Sequence, residues 1–447
     1  MVKKAVVQYL CSNCGASSSS WSGRCYNCGE WNTIQEQTLI NDSTKLSGNK
    51  LHTENIITGL TKDAPRLISG MSEIDEVLGG GIVNGSVSLL AGQPGIGKST
   101  LLMQLANSLS LKYKILYVSG EESTHQVSMR ASRLGAKSSL LEIANSNNTD
   151  DIVASINSKE FKLVIIDSIQ TVTCNGVNSA AGSVSQVTNS TYLLSTAAKN
   201  SDTAIILVGH VTKEGSIAGP KLLEHMVDVV LQIEGDRYGG FKVLRAAKNR
   251  FGSIDNVGIF EMDDKGFKTV DNPSAALLSE RQVIDGSVVL ANMEGSRPIL
   301  VEVQALVNES SFGYPKRAAS GFDLNRLNLL IAMLEKRTKL KLSNSDIYIN
   351  IVGGIKISEP AADLAICMAI ASASKNMQLK TDSVVFGEVG LSGEIRHVNF
   401  TEKRLVEAYK LGFTNTIGPR LKTGVKSNKH SGVSNIRQAL NTFLEKD

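Results

Sequence analysis

Between about residues 56 and 270, short apolar stretches of strand length alternate with segments whose apolar residues recur at helical spacing. The stretches Ser86 to Ala91, Lys114 to Val118, Lys162 to Asp167 and Thr203 to Gly209 are expected to be central strands, and Leu101, Leu102, Leu105 and Leu109 mark one face of a helix between the first two. That alternation predicts an α/β region with a doubly wound, mostly parallel sheet. Asp228 to Glu234 and Phe241 to Ala247 flank Gly239-Gly240, a pattern that predicts a hairpin at one edge. From about Pro273 to the end the pattern changes. Strands are expected at Gly286 to Asn292 and Ile299 to Leu306, with helices at Asp323 to Arg337 and Ala361 to Ala373, which suggests a separate α+β domain over 273–447. The first 35 residues hold little that could form a core, and 36–55 are polar and aperiodic, as a linker would be.

Composition narrows the class. A chain of 447 residues exceeds the size at which one core keeps growing, so two or three domains are expected. With 42% hydrophobic and 20% charged residues, global disorder is excluded. The longest apolar runs, such as Leu163 to Ile166, fall far short of the roughly 20 residues that cross a bilayer. Met1-Val2-Lys3-Lys4 leads into a cysteine cluster without an apolar signal core, so a cytoplasmic protein with no membrane partner is expected. The net charge of +4 is too small to imply a nucleic-acid partner, and local patches must carry that inference.

The strongest chemical signal is Gly92-Gln93-Pro94-Gly95-Ile96-Gly97-Lys98-Ser99, followed by Thr100. It follows an apolar strand and opens a helical pattern, the context a phosphate loop requires. Backbone N–H groups and the helix N-terminus face phosphate oxygens, Lys98 reaches the terminal phosphates, and Ser99 is placed to hold Mg²⁺. Leu163 to Ile166 bury a strand that delivers Asp167 at its carboxyl end, where it would complete the Mg²⁺ shell of bound ATP. Glu121 and Glu122 follow a neighbouring strand, and either could orient or deprotonate water. A helix N-terminus that favours acidic residues explains the same pair equally simply. His210 ends another strand, where a γ-phosphate could be sensed or a structural histidine could sit.

Cys11-x-x-Cys14 and Cys25-x-x-Cys28 lie ten residues apart, with Gly15, Gly23 and Gly29 permitting tight knuckle turns. Four thiolates and no open position point to a closed, structural Zn²⁺, whose binding supplies folding energy that so small a module cannot obtain from burial. A thiol–disulfide switch is the competing reading of the two pairs. Cys174 and Cys367 stand alone.

These motifs together resemble the RadA (Sms) family of bacterial DNA repair proteins over nearly the full length. The resemblance rests on the cysteine quartet with Gly29-Glu30-Trp31-Asn32-Thr33, on Ser119-Gly120-Glu121-Glu122-Ser123, on Gly209-His210-Val211-Thr212-Lys213-Glu214-Gly215, and on Lys248-Asn249-Arg250-Phe251-Gly252, the family's hallmark. It implies a RecA-like ATPase core with an N-terminal zinc module and a Lon-protease-like C-terminal domain. It also implies a ring-shaped homo-oligomer, a hexamer, that binds single-stranded and branched DNA and moves recombination junctions with ATP beside the RecA recombinase. Lys248 and Arg250 would couple hydrolysis to movement near a subunit interface. Charge supports this, since Lys242, Arg245, Lys248 and Arg250 crowd one short segment and an Arg can act on a γ-phosphate in trans.

The departures from Lon proteases are informative. Glu359-Pro360-Ala361-Ala362-Asp363 places Ala361 where the nucleophilic serine belongs, and Glu402 takes the lysine position. A Ser–Lys dyad needs both groups, so proteolysis is not expected. Lys316, Arg317, Lys336, Arg337, Lys339 and Lys341, and further on Arg420, Lys422, Lys426 and Lys429, are candidate phosphate contacts. Two other functions stay open: a clock-type signalling ATPase that phosphorylates itself, whose style Ile68 to Gly81 shares, and an ATP-dependent protease.

Overall fold

The computed structural model describes residues 6–11, 16–39, 65–210, 222–235, 240–310, 314–379, 383–421 and 429–445. Two compact units result, Met1–Asp63 and Ala64–Asp447.

In the first unit β1 (Val6–Cys11) pairs antiparallel with β2 (Ser17–Ser18) and β3 (Ile34–Leu39), with Cys11 opposite Ile34. Its buried cluster is Cys11, Cys25 and Ile34, far too little apolar surface to hold a fold alone. Strand β3 runs to Leu39, past the residue-35 limit expected for the module, because every position from Val6 to Cys11 offers a partner across the ladder.

The second unit opens with a two-stranded ribbon, β4 (Arg66–Leu67) with β5 (Ile82–Val83), enclosing helix α1 (Ser72–Val77). Its main sheet contains β6 (Val87–Gly92), β7 (Ile115–Ser119), β8 (Leu141–Asn145), β9 (Leu163–Asp167), β10 (Ala204–His210), β11 (Val229–Gly235), β12 (Lys242–Asn249), β13 (Val257–Asp263) and β14 (Gly266–Thr269). Among the described residues the order is β14-β13-β12-β11-β6-β10-β9-β7-β8, with every pair from β11 to β8 parallel. The four expected central strands are present within a residue at each end. Period-two alternation sends Leu163 and Ile165 to one face and Val164 and Ile166 to the other, so a strand buried on both sides reads as an unbroken apolar run. Helix α2 (Lys98–Leu109) covers the first face, and α4 (Thr149–Asn157) and α5 (Val184–Ser201) cover the second.

Two expectations need correction here. The hairpin β11–β12 is not at an edge, because β13 pairs antiparallel along β12 from Lys242 opposite Phe260, and β14 continues outward. Strand β12 buries Val243, Leu244 and Ala246 and needs that cover. The basic residues Lys242, Arg245, Lys248 and Arg250 do not form one patch either. They spread along a strand that rises about 3.3 Å per residue, Lys242 is buried, and Arg245 Nη1 meets buried Glu294 Oε2 at 2.6 Å.

A second sheet joins β15 (Ser287–Glu294), β16 (Arg297–Glu309), β17 (Arg317–Ser320), β18 (Ser345–Ile351), β19 (Ser383–Val385), β20 (Asn415–Pro419) and β21 (His430–Val433) in the order β17-β18-β16-β15-β19-β20-β21. Helix α8 (Leu324–Arg337) and helix α9 (Asp363–Lys375) are the two expected helices, and α9 is buried continuously from Asp363 to Ala373. Phe241, Ile259 and Val270, which precede this part of the chain, belong to its hydrophobic core. Arg297 Nη1 also bonds both carboxylate oxygens of Glu73 on α1, at 3.0 and 2.9 Å.

Candidate nucleotide and metal sites

The loop between β6 and α2 holds the expected phosphate-binding residues. Gly97 caps α2 with φ 105°, and a Cβ there would lie 2.8 Å from the Phe267 ring, so neither the backbone angle nor the space admits a side chain. Lys98 is buried and turns back over the loop, donating to the carbonyls of Gly92 at 2.9 Å and Gln93 at 3.2 Å. Those are weak local acceptors, which an incoming phosphate can replace. Burial pulls the Lys98 ammonium below its ordinary range, and the charges of Asp167 and Glu121 oppose that pull. Pro94, Gly95, Gly97, Lys98, Ser99 and Thr100 line a cleft of about 310 Å³ whose far wall includes Glu121, Glu122, Arg130 and Asp167. Gln93 and Ile96 complete the expected loop residues, Ile96 being turned into the core.

Strands β7 and β9 are neighbours with Ser119 opposite Asp167, which brings the two chemical segments together. Tyr117 is fully buried on β7 and donates to Asp167 Oδ2 at 2.6 Å. Burial first, then the Asp167 charge, pushes the Tyr117 phenol well above its usual value. The two adjacent glutamates have different settings. Glu121 Oε1 accepts from Ser168 Oγ at 2.6 Å and acts electrostatically on Lys98. Glu122 faces Arg130, whose Nη2 bonds both of its oxygens, while Asn145 Nδ2 fixes its carbonyl at 2.8 Å. Ser123 and Gln126 then form a capping box that starts α3 (Thr124–Arg133), so the acidic pair lies just before the helix. The expectation for His210 concerns a side chain outside the described residues.

In the first unit, the sulfur atoms of Cys11, Cys25 and Cys28 all lie within 4.8 Å of one another, with Cys11 and Cys28 at 3.7 Å. Tetrahedral Zn–S bonds of about 2.3 Å place sulfurs about 3.8 Å apart, so the three fit a zinc ion. Asn27 N donates to Cys25 Sγ at 3.4 Å, as a knuckle turn requires. Cys14 lies outside the described residues. Cys174 and Cys367 are buried singly.

A family model described as an AAA domain matches residues 60–216, one described as a rubredoxin metal binding domain matches 9–36, and one described as subunit ChlI of Mg-chelatase matches 327–421. The DNA repair protein RadA of Bacillus subtilis is 45% identical over 454 residues, covering 99% of both chains. The same protein of Pseudomonas aeruginosa is 44% identical over 452 residues, covering 99% of this chain and 100% of its own. The chain belongs to the RadA family of DNA repair proteins. A further RadA, of Brucella abortus, is 47% identical over 424 residues, 92% of this chain and 91% of its own. A solved structure of the RadB recombinase aligns with 46% of this chain at 19% identity and a TM-score of 0.37, too little to argue from.

As a RadA, the chain is an ATP-hydrolysing enzyme whose cofactors are ATP with Mg²⁺ and Zn²⁺. Its fold is the expected one, a RecA-like core with a zinc ribbon before it and a Lon-like domain after it. Among the described residues, no helix is long and apolar enough to cross a membrane.

The RadA hallmark pentapeptide does not meet this cleft within one subunit. Strand β11 runs parallel to β6 and β12 runs back, so Lys248 and Arg250 sit toward the end of the sheet where β6 begins, away from the loop that follows Gly92. Lys248 Nζ caps the carbonyls of Glu224 at 2.7 Å and Val227 at 2.8 Å, closing helix α6 (Leu222–Met226). Arg250 Nη1 bonds Asp228 Oδ1 at 3.0 Å, while Asp228 Oδ2 accepts from Val87 N at 3.1 Å. Phe251 N is held by Asn249 Oδ1, and Gly252 packs against Gly79, where a Cβ would come within 3.1 Å of backbone. In the Lon-like part, Ala361 is buried and Glu402 is exposed on α10 (Thr401–Lys410). Around Ala361 two ion pairs close instead. Buried Arg404 bonds Glu359 at 2.8 and 2.6 Å, and Arg326 grips buried Asp363 with two nitrogens. Lys316, Lys336, Arg337, Lys339, Lys341, Arg420 and Lys429 are exposed and Arg317 is partly buried, whereas Lys422 and Lys426 lie outside the described residues.

Sequence reasoning missed Tyr117, Ser168 and Arg130. Tyr117 stood inside an apolar run, and only the parallel register of β7 with β9 reveals its polar end. Ser168 directly follows Asp167, so its position was readable and its partner was not. Arg130 lies on α3 eight residues after Glu122, which precedes the helix, so the three- and four-residue spacings that pair helix neighbours do not connect them.

Proposed function

We propose that this chain is a DNA-dependent motor of recombinational repair. It binds single-stranded DNA, and ATP hydrolysis drives the migration of branched junctions alongside a RecA-type recombinase. The observation that carries the reading is the cleft in which Lys98, Ser99, Asp167 and Glu121 converge on one nucleotide-sized space. In this reading the loop amides from Gly92 to Thr100 and Lys98 hold the phosphates, while Ser99 and Asp167 hold Mg²⁺, which neutralises charge on the transferred phosphoryl group. Glu121 orients and deprotonates water, because Arg130 already engages both oxygens of Glu122. Cys11, Cys14, Cys25 and Cys28 hold Zn²⁺ as a structural ion. Apart from β3, which carries the zinc module on to Leu39, the proposed division is a zinc module over 1–35, a linker over 36–55, the ATPase over 56–270 and the proteolytically inactive Lon-like domain over 273–447.

Lys248 and Arg250 act in trans in a ring, most simply a hexamer, since they stand toward the opposite end of the strands from their own loop. The exposed lysines of the Lon-like part supply phosphate contacts to DNA. Single-stranded DNA is expected to stimulate ATP turnover, with stimulation falling steeply as salt rises. Arg250→Ala is expected to bind nucleotide normally and lose most of that stimulation and junction movement. Turnover indifferent to DNA at low salt would overturn the motor reading, and full stimulation of the Arg250 variant would overturn the role in trans.

A further inference from the structure

Beneath the cleft lies a buried hydroxyl that the hydrolytic roles above do not use. Tyr117 sits in the middle of a five-residue strand whose members are all buried, between apolar neighbours Leu116 and Val118. A tyrosine wholly inside a parallel sheet costs the desolvation of its hydroxyl unless that group is satisfied. Here it is satisfied by a residue assigned to the metal, Asp167, whose Oδ2 accepts at 2.6 Å. A phenol carries one proton. Because Tyr117 spends that proton on Asp167 Oδ2, one oxygen of the carboxylate is tied to the sheet.

We propose that Tyr117 is the positioning residue for the magnesium site, fixing one oxygen of Asp167 so that the other is presented to the ion. A carboxylate is a directed ligand only when it cannot rotate. Tyr117 meets that need with one atom held rigid by the sheet, the role that partners behind metal ligands play in other sites. This rests on the reading of Ser99 and Asp167 as the magnesium-holding pair.

The test uses the full chain with ADP and Mn²⁺, followed by electron paramagnetic resonance, so that no turnover is required. Metal-free ADP affinity is measured beside it in chelator. Tyr117→Phe keeps the ring and removes the hydroxyl, and Mn²⁺ affinity of the ADP complex is expected to fall about 10-fold to 100-fold while metal-free ADP affinity is unchanged. A Mn²⁺ affinity within about twofold of wild type overturns the proposal. Since loss of a buried hydroxyl can impair folding, 3-fluorotyrosine at position 117 serves as a second variant. It is nearly isosteric and a stronger donor to Asp167, so a measurable shift in Mn²⁺ affinity supports the positioning role and an unchanged affinity overturns it. Should wild-type protein with ADP take up Mn²⁺ no better than ADP alone, the magnesium assignment itself falls, and the Tyr117 role falls with it.

Discussion

The nucleotide cleft and the surroundings of Ala361, where a Lon protease would cut peptides, treat charge differently. In the cleft Arg130 engages Glu122, but Lys98 bonds loop carbonyls and Glu121 accepts from a serine hydroxyl while its charge acts on Lys98. Around Ala361, Glu359 and Asp363 are each gripped by an arginine with two nitrogens, leaving nothing poised to act on a substrate. A catalytic site keeps its charges incompletely answered until a ligand arrives. A structural one answers them on folding, and its removal is then felt as instability and not as lost chemistry.

That contrast can be broken by substitution. The largest effect is expected for Lys98→Ala, which should reduce ATP turnover by roughly 1,000-fold, with the thermal melt unchanged or slightly raised, since the variant removes a buried charge. Retained turnover in a phosphate-release assay would remove the cleft from the active site. Next, Glu121→Gln should lower kcat by about 100-fold to 10,000-fold while ADP affinity stays near wild type. Glu122→Gln should fall less, its carboxylate being engaged by Arg130, and the reverse ranking would exchange the two roles. Across the comparison, Glu359→Ala should cost about 3–5 kcal/mol of stability in a denaturant titration, because Arg404 is left buried without its partner. Turnover per folded molecule should change little. If that variant melted normally and hydrolysed ATP poorly, the Lon-like pocket would belong to the catalytic machinery after all.

Legibility from sequence followed the range of the interactions. The phosphate loop, the strand ending in Asp167 and the cysteine pairs are local patterns, and each fell where its spacing placed it, apart from Cys14, which lies outside the described residues. Strand β8 was unreadable because its side chains are half exposed and its apolar pattern is weak. Strands β13 and β14 were missed because Gly258 interrupts one and the other has four residues. The Arg404–Glu359 and Arg326–Asp363 pairs join residues 45 and 37 positions apart, which no periodicity connects. The hallmark pentapeptide was recognised as a unit, but its distance from the phosphate loop depends on strand direction. Only the register of β11 against β6 and β12 supplies that.

Phe241, Ile259 and Val270 lie in the core of the second sheet although they precede it in the chain. A fragment trimmed after Val270 would therefore expose a greasy scar where its missing half had been seated. Such an excised ATPase would keep its loop and its carboxylates yet tend to clump, and polar replacements at those three positions would be needed before it could stay dispersed in water.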